Sequence, residues 1–302
     1  MNTHRLGASD LYVSTMGLGC MSLGTDEVKA TAIIHEALEL GVNFLDTADL
    51  YDDGRNEEII GQALRGRRAD VILATKVGNR RIPGQEGWSW DPSKAYIRSA
   101  VKESLRRLQT DYIDLYQLHG GTLEDPMDET IEAFEELKKE GVIRYYGISS
   151  IRPNVIREYV SRSHIVSVMS QYSILDRRPE EAILPLLQQH GISLIARGPL
   201  AGGILTEHGS AKAHRDYLGY DSGELPVLHE RLVQQTGTAR TLTETALHYP
   251  LANPAVAAII PGASSLEQLR RNAAAAASPP LTPAELAAIQ HTSKSNRYAQ
   301  HR

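Results

Sequence analysis

The sequence predicts an α/β protein that folds as a (β/α)8 TIM barrel, with an N-terminal β-hairpin and with cofactor and substrate loops towards its C-terminus. Eight short apolar segments recur along the 302 residues, and most are followed by a segment whose apolar residues have helical spacing. Strands that alternate with helices pair in parallel, and eight such units in this length indicate a closed barrel. Because no linker interrupts the pattern, we expect residues 1–302 to form a single domain.

The elements follow in a regular order. The segment HRLGASDLYVS (4–14) predicts a hairpin that caps the barrel floor. Barrel strands are predicted at 15–23, 42–46, 71–76, 112–119, 143–149, 165–172, 192–197 and 256–262. Helices are predicted at 29–41, from Arg55 onwards, and at 92–108, 128–141, 152–162, 178–191, 242–252 and 264–276. The alanine run 273–277 is expected inside the last of these helices, and 202–240 as a variable loop or an extra helical segment.

Composition narrows the class of protein. The net charge of −5 and a pI near 6.1 give no electrostatic reason to expect nucleic acid or a membrane surface as a partner. No apolar run is long enough for a transmembrane span, and no signal peptide is recognisable. The single cysteine, Cys20, cannot form an intrachain disulfide and fits a reducing cytoplasm. The sequence does not indicate the oligomeric state.

Polar residues stand at the predicted C-terminal ends of successive strands, where barrels of this type carry their chemistry. Asp46 ends the second strand with Tyr51 beyond it, Lys76 ends the third and His119 ends the fourth. Taken singly, Asp46 could cap a helix, Tyr51 could pack and His119 could be a satisfied core histidine. A buried Lys76, however, requires a counter-charge, and Asp46 on the neighbouring strand supplies it.

These four residue types suit proton donation to a carbonyl oxygen. A tyrosine with an ordinary pKa near 10 is a poor acid at neutral pH, and a nearby lysine favours its phenolate. His119 could bind the substrate oxygen while Asp46 holds Lys76. No metal-binding cluster and no Ser–His–Asp order is evident, so a nicotinamide hydride is the expected attacking group. A Schiff base on Lys76 is an open alternative.

The C-terminal part predicts a phosphate site. Pro261-Gly262 ends a strand, and Ser264-Ser265 begin a helix whose free N–H groups could bind an anion, although Ser265 could equally be a plain N-cap. The glycines of ARGPLAGGIL (196–205) would permit a close approach to a pyrophosphate. Tyr172 is placed to offer an aromatic face to a nicotinamide.

The chain resembles the aldo-keto reductase superfamily along its whole length, and most closely the bacterial branch that is similar to potassium-channel β subunits. The segments that carry the resemblance are GLGCMSLG, NFLDTADLYDDGRNEEIIGQAL, ILATK, YIDLYQLH, GVIRYYGIS, SQYSIL and IIPGASSLEQLRRN. The resemblance implies a barrel that binds NADPH and reduces an aldehyde or ketone, a small-molecule carbonyl substrate.

The resemblance also assigns residues. Tyr51 matches the family's general acid, and Asp46, Lys76 and His119 complete its catalytic tetrad. The positions that match cofactor contacts are Cys20, Met21, Ser149, Gln171, Tyr172, Arg197, Gly198, Leu200, Gly203, Gly262, Ser264, Gln268, Arg271 and Asn272. No metal is implied.

Some positions depart from the family pattern. Ser150 replaces an asparagine after strand five, Gly262 stands where many members carry a lysine, and Gln268 stands where they carry an arginine. Arg271 replaces a glutamate that often contacts adenine. NADPH selectivity is therefore expected to depend on Ser264, Gln268 and one of the adjacent arginines Arg270 and Arg271.

The sequence leaves two questions open, the choice between catalysis and sensing and the nature of the substrate pocket. A cofactor-binding redox sensor with little turnover is the alternative to a reductase. The substrate pocket is expected to be formed by the loops 78–92 and 202–225 and by the tail SKSNRYAQHR, with Trp88 and Trp90 as a possible apolar wall.

Overall fold

A computed structural model describes residues 1–82, 87–237 and 239–302 of the chain. Its strands are β1 (Thr3–Arg5), β2 (Tyr12–Ser14), β3 (Leu18–Gly19), β4 (Phe44–Asp46), β5 (Ile72–Val77), β6 (Asn79–Arg80), β7 (Ser89–Trp90), β8 (Ile113–Leu118), β9 (Ile143–Ser149), β10 (Ser167–Gln171), β11 (Ser193–Arg197) and β12 (Val256–Ile260). Its helices are α1 (Glu27–Glu39), α2 (Arg55–Ala63), α3 (Lys94–Leu108), α4 (Met127–Lys139), α5 (Pro153–Arg162), α6 (Pro179–Gln189), α7 (Glu224–Thr236), α8 (Leu242–Leu251), α9 (Leu266–Ala276) and α10 (Pro283–Thr292).

Eight of the strands form one parallel sheet in the order β12-β11-β10-β9-β8-β5-β4-β3. Parallel bridges from Met16 to Ile259 and from Gly19 to Gly262 join the two edges and complete the ring. Every residue of β8 and of β12 is buried, as expected for strands covered by side chains inside the barrel and by helices outside. The predicted (β/α)8 barrel is thus confirmed.

The N-terminal hairpin fills the barrel floor. β1 pairs antiparallel with β2, and Leu6 and Leu11 lie in one apolar cluster with Phe44, Leu115 and Met169, which come from three barrel strands. This cluster is separate from the larger one formed between the strands and the outer helices. The floor is therefore sealed by apolar packing, and the opposite end of the barrel carries the polar strand ends.

Several elements differ in detail from the sequence prediction. The first barrel strand is confined to Leu18–Gly19, because a 3-10 turn begins at Cys20. Helix α10 was not predicted, although Thr282 and Glu285 form a capping box at its start. The alanine run 273–277 spans the end of α9 rather than its interior. Helix α7 lies in the weakly periodic segment 202–240.

Part of the expected substrate region can be described. The loop 78–92 contains the short antiparallel pair β6 and β7, while its residues 83–86 lie outside the described part of the chain. Among the described residues, no helix is both long and apolar enough to cross a membrane.

The floor cluster predicts a large cost for shortening one hairpin residue. Leu11→Ala should lower the free energy of unfolding by about 2–5 kcal/mol, because it leaves a cavity where no water enters. Urea denaturation measures this change. Tyr12→Ala, at the next residue of the hairpin but 56 % exposed, is the matched control and should change stability much less. Equal losses for both variants would contradict the role of the hairpin as a packed floor.

Candidate active site

A buried ion pair stands at the centre of the polar rim. Lys76 Nζ lies 2.7 Å from Asp46 Oδ2, and both side chains are almost wholly inaccessible to solvent. Lys76 comes from β5 and Asp46 ends β4, so the parallel register of adjacent strands brings them together. Lys76 Nζ also donates to the carbonyl oxygen of Thr47 at 2.7 Å. The predicted counter-charge is present, and the ammonium is left with one further donor.

That further donor is directed at Tyr51. Lys76 Nζ lies 3.2 Å from Tyr51 Oη and 4.9 Å from the centre of the Tyr51 ring. A short turn, Tyr51–Gly54, begins at this tyrosine, and the backbone N–H of Tyr51 donates to the carbonyl oxygen of Ala48. The turn thus brings the phenol back over the end of β5, although Tyr51 follows a different strand.

His119 completes the group. Its ring meets the Tyr51 ring edge-on, with centroids 6.1 Å apart. Two hydrogen bonds hold the backbone of His119. Its N–H donates to the carbonyl oxygen of Val77 at 2.7 Å, and its carbonyl oxygen accepts from the side-chain Nδ2 of Asn79 at 3.1 Å. Its Nδ1 is buried and has no hydrogen-bond partner among the described residues. All four residues that the sequence analysis selected therefore stand together.

Burial and charge set the protonation states of the group. Burial lowers the pKa of Lys76, but the Asp46 carboxylate and Tyr51 outweigh it and hold that pKa above its ordinary value, so the amine stays charged. Burial and the positive charges of Lys76 and Arg197 lower the pKa of His119 to about 3, so its imidazole is neutral at neutral pH.

Tyr51 differs from the sequence expectation. Burial raises its pKa above the ordinary value, while Lys76 acts in the opposite direction and is outweighed. The phenol is therefore protonated at neutral pH. The Lys76 charge nevertheless keeps the pKa of Tyr51 lower than burial alone would make it. It thereby stabilises the phenolate, the state that the tyrosine reaches after it donates a proton.

A charged Lys76 also bears on the Schiff-base alternative. A nucleophilic lysine must be deprotonated, and here Asp46 and Tyr51 hold the pKa of the amine above its ordinary value. Two of the three ammonium donors are already committed to Asp46 and Thr47. The environment of Lys76 is therefore unfavourable for attack on a carbonyl carbon.

The expected nicotinamide-holding residues follow the rim. Ser149, Gln171 and Arg197 end β9, β10 and β11, and Tyr172 directly follows β10. Arg197 makes no ion pair within the described part of the chain, yet it is close enough to influence the pKa of Asp46, Tyr51 and His119. An unpaired cation so near the tetrad fits an anionic ligand on this side of the rim.

The expected phosphate positions lie next to the barrel closure. Ser264 Oγ donates to Gln268 Oε1 at 2.9 Å, and Ser265 Oγ accepts from Gln268 N as an N-cap. Asn272 is buried and its amide donates to the carbonyl oxygen of Gly262. A Cβ at Gly262 would lie 2.2 Å from Ser22 Oγ, so a larger residue here would require Ser22 to move.

The remaining expected contacts are of two kinds. Gly198 and Gly203 have φ of +65° and +90°, and they flank Leu200 in the segment that follows β11. Met21 is 65 % exposed on the rim, whereas Cys20 is fully buried, and its carbonyl oxygen accepts a hydrogen bond from Asn56 Nδ2. Burial also raises the pKa of the Cys20 thiol.

Several residues of the site were not selected from the sequence. Gln117 Nε2 lies 3.4 Å from Asp46 Oδ1, and its own Oε1 is buried without a partner among the described residues. Tyr217 Oη accepts a hydrogen bond from Gln171 Nε2 at 2.9 Å. Gln117 had a sequence signal, since it precedes His119 by two positions on a buried strand. Tyr217 had none, because 202–225 lacks periodicity.

Asp49 corrects one interpretation of the sequence. The sequence alone predicts that Asp49, Asp52 and Asp53 are all loop or helix-start acids, and the last two are indeed exposed. Asp49 Oδ1 is instead buried without a partner among the described residues. Burial, followed by the negative charge of Glu57, raises the pKa of Asp49 to about 7.

Asp49 therefore predicts a pH-dependent stability. The pKa of Asp49 is raised in the folded protein. The contribution of this carboxyl group to the free energy of unfolding is therefore fully present below its ordinary pKa of 3.8, and it is lost as the pH rises through about 7. Asp49→Asn should remove this loss and stabilise the protein at pH 8 relative to wild type by on the order of 2–4 kcal/mol, but not at pH 4. Unfolding measured at both pH values tests this. The control is Asp52→Asn, at an exposed position, and a gain at pH 8 as large as that of Asp49→Asn would refute the assignment.

Comparison with known proteins shows the family to which the chain belongs. The model of the Aldo/keto reductase family matches residues 15–294. The chain is 59 % identical over 307 aligned positions to "Uncharacterized oxidoreductase YqkF" of Bacillus subtilis (strain 168), covering all of both chains. It is 32 % identical over 287 positions to "L-galactose dehydrogenase" of Arabidopsis thaliana, covering 89 % of this chain and 86 % of the relative.

Solved structures give the same result. The holo form of aldo-keto reductase AKR11C1 from Bacillus halodurans superposes with a TM-score of 0.96 at 61 % identity, covering 100 % of this chain and 99 % of that one. The apo form of the same protein gives a TM-score of 0.88 at 58 % identity, with the same coverage. The chain belongs to the aldo/keto reductase family and is an NAD(P)H-dependent oxidoreductase.

Proposed function

We propose that this protein reduces aldehydes or ketones to alcohols with NADPH, and that Tyr51 is the general acid. The observation that carries the proposal is the 3.2 Å separation of Lys76 Nζ and Tyr51 Oη beside the buried Asp46 carboxylate. A protonated phenol next to a fixed positive charge can release its proton to an oxygen that gains negative charge. Membership of the family supports carbonyl reduction in general.

Each residue of the tetrad has a distinct task. Tyr51 Oη donates a proton to the carbonyl oxygen, and Lys76 Nζ stabilises the phenolate that remains. Asp46 keeps Lys76 charged and in place. His119 is neutral and can hydrogen-bond the same oxygen without competing for its proton. A bound reduced nicotinamide supplies the hydride for the carbonyl carbon.

The residues around the rim fit such a cofactor. We assign the nicotinamide amide to Ser149 and Gln171 and its face to Tyr172. The pyrophosphate would lie along the segment after β11 and the adenosine phosphate near the start of α9, where the assigned residues are Arg197, Gly198, Leu200, Gly203, Gly262, Ser264, Gln268, Arg271 and Asn272. Met21, exposed in the turn after β3, would border the cofactor, and Cys20, buried in the same turn, would support it. A cofactor site is supported by the family and by a solved relative, AKR11C1, that is described in a holo form.

A preference for NADPH over NADH requires a cation for the 2′-phosphate, and the structure separates the two adjacent arginines. Arg270 Nε lies 2.7 Å from Glu36 of α1, so its charge is already paired. Arg271 Nη1 lies 4.0 Å from Glu267 Oε1, so its ion pair is weaker than that of Arg270. We therefore propose Arg271 as the residue that selects NADPH.

Two further parts of the proposal concern context. A cofactor-binding redox sensor remains the second candidate, and the complete tetrad favours catalysis over it. We also propose a reducing, cytoplasmic compartment, because the buried free thiol of Cys20 needs no oxidising environment. A panel of aldehydes with NADPH separates the first two candidates: no turnover on any member would favour the sensor.

Removal of one oxygen atom tests the general acid. Tyr51→Phe should lower kcat by at least about 100-fold, since it deletes the proton donor, while NADPH affinity measured by fluorescence titration stays within a few-fold. Tyr96→Phe, a half-buried tyrosine outside the tetrad, is the control and should keep turnover. Substantial activity in Tyr51→Phe would overturn the assignment.

Matched arginine variants test the cofactor preference. Arg271→Ala should raise the KM for NADPH about tenfold or more and leave the KM for NADH nearly unchanged, because only NADPH carries the 2′-phosphate. Arg270→Ala, whose guanidinium is held by Glu36, should have a much smaller effect. If Arg270→Ala is the variant that loses the preference, the two roles are reversed.

A further inference from the structure

One turn of the segment 202–225 is fastened to the barrel rim. Tyr217 and Tyr220 exchange backbone hydrogen bonds of 2.9 and 3.0 Å across a tight turn that we call the strap, residues 217–220. Tyr217 Oη accepts from Gln171 Nε2 at 2.9 Å. The strap therefore fixes the side chain to which the nicotinamide amide is assigned.

A second network fixes the residue assigned to the nicotinamide face. Tyr172 Oη donates to Glu180 Oε1 at 3.1 Å, and Tyr249 Oη donates to the same oxygen at 2.6 Å. Arg177 Nη2 lies 2.9 Å from Glu180 Oε2. The position of the Tyr172 ring thus depends on Glu180, which Arg177 holds from the other side.

The C-terminal segment 293–298 contacts both of these parts. Lys294 N donates to Tyr220 Oη at 2.6 Å, which ties the segment to the strap. Arg177 Nη1 donates to the carbonyl oxygen of Ser293 at 3.2 Å, which ties it to the Tyr172 network. Tyr298 is buried, with the Arg178 guanidinium 4.8 Å from its ring centre. The segment is a packed part of the rim.

Asn296 is the one side chain of this segment that bonds to both sides. Its Oδ1 accepts from Arg177 N at 2.7 Å, and its Nδ2 donates to the carbonyl oxygens of Leu175 at 3.0 Å and Leu218 at 3.4 Å. Leu175 and Arg177 belong to the turn before α6, and Leu218 belongs to the strap. One amide group therefore joins the strap to the turn that carries the Tyr172 network.

We propose that Asn296 is a positioning residue that holds the strap and the Tyr172 network in register, and so fixes the nicotinamide end of the cofactor site. This inference rests on the proposed function, since it requires Gln171 and Tyr172 to hold the nicotinamide. Within the described part of the chain Asn296 is hydrogen-bonded to neither residue, so we expect its effect to pass through Tyr217 on one side and Arg177 on the other. Among the described residues, no hydrogen bond of Asn296 leads towards the adenosine end at the start of α9.

The chemistry of the amide suggests a precise substitution. Asn296→Asp keeps the acceptor for Arg177 N but replaces the donor Nδ2 by an oxygen, which faces the two carbonyl oxygens of Leu175 and Leu218. The link to the strap is thereby broken with almost no change in volume. A second variant, Tyr217→Phe, breaks the other end of the same connection by removing the hydroxyl that Gln171 contacts.

Two ligands distinguish an effect on the nicotinamide end from a general one. NADPH spans the whole site, whereas adenosine 2′,5′-bisphosphate probes only the adenosine end. Titration calorimetry should show that Asn296→Asp weakens NADPH binding by about five- to tenfold, the scale of one or two hydrogen bonds, and leaves the bisphosphate affinity within twofold. Tyr217→Phe should show the same selectivity.

Asn253→Asp is the matched control, because Asn253 uses its Oδ1 to accept from Ala255 N and Asp retains that acceptor. Its affinity for both ligands should equal that of wild type. NADPH binding by Asn296→Asp and Tyr217→Phe within twofold of wild type, or an equal loss for both ligands, would overturn the role of Asn296 alone. Failure of the wild-type protein to bind NADPH would overturn the proposed function together with it.

Discussion

The arrangement of the rim depends on one buried ammonium group. Lys76 is almost fully inaccessible, and an unpaired charge at such depth would cost several kcal/mol. Asp46 neutralises it from the adjacent strand, and Thr47 accepts a second donor, so Tyr51 becomes the partner for the third. The parallel register of β4 and β5 fixes the first contact, and the turn after β4 fixes the last. Satisfying one lysine thus assembles three of the four tetrad residues.

The same burial determines how the group can react. Desolvation keeps the phenol of Tyr51 protonated and the imidazole of His119 neutral, while Lys76 remains positive. A proton donor, a neutral hydrogen-bond donor and a fixed cation are therefore present together at neutral pH. Loops rather than strands surround this chemistry on one side: the strap, the turn before α6 and the C-terminal segment meet at Asn296. The strands β4 and β5 position Asp46 and Lys76, the turn after β4 positions Tyr51, and loop contacts position the residues assigned to the cofactor.

The sequence was most informative where periodicity and register decide the outcome. The barrel, the hairpin floor and the convergence of Asp46, Lys76 and His119 follow from apolar strands that end in polar residues. The sequence was less informative where long-range contacts decide. Asp49 could not be separated from Asp52 and Asp53, because its burial depends on packing beside Glu57 and Arg107. The hydrogen bond between Gln171 and Tyr217 leaves no local sequence pattern, and neither do the three hydrogen bonds of Asn296. Each of them joins residues that are at least 46 positions apart in the chain.

The most direct test concerns the charge of Lys76 rather than the phenol itself. Lys76→Met combined with Asp46→Asn removes the ion pair without leaving an unpaired buried charge. With NADPH already bound, a single-turnover experiment measures the rate of hydride transfer to an aldehyde substrate of the wild-type enzyme. If Lys76 stabilises the Tyr51 phenolate, this rate should fall by at least about 100-fold while NADPH affinity stays within a few-fold. A rate within tenfold of wild type would contradict the claim that the buried ion pair enables Tyr51 to act as the acid.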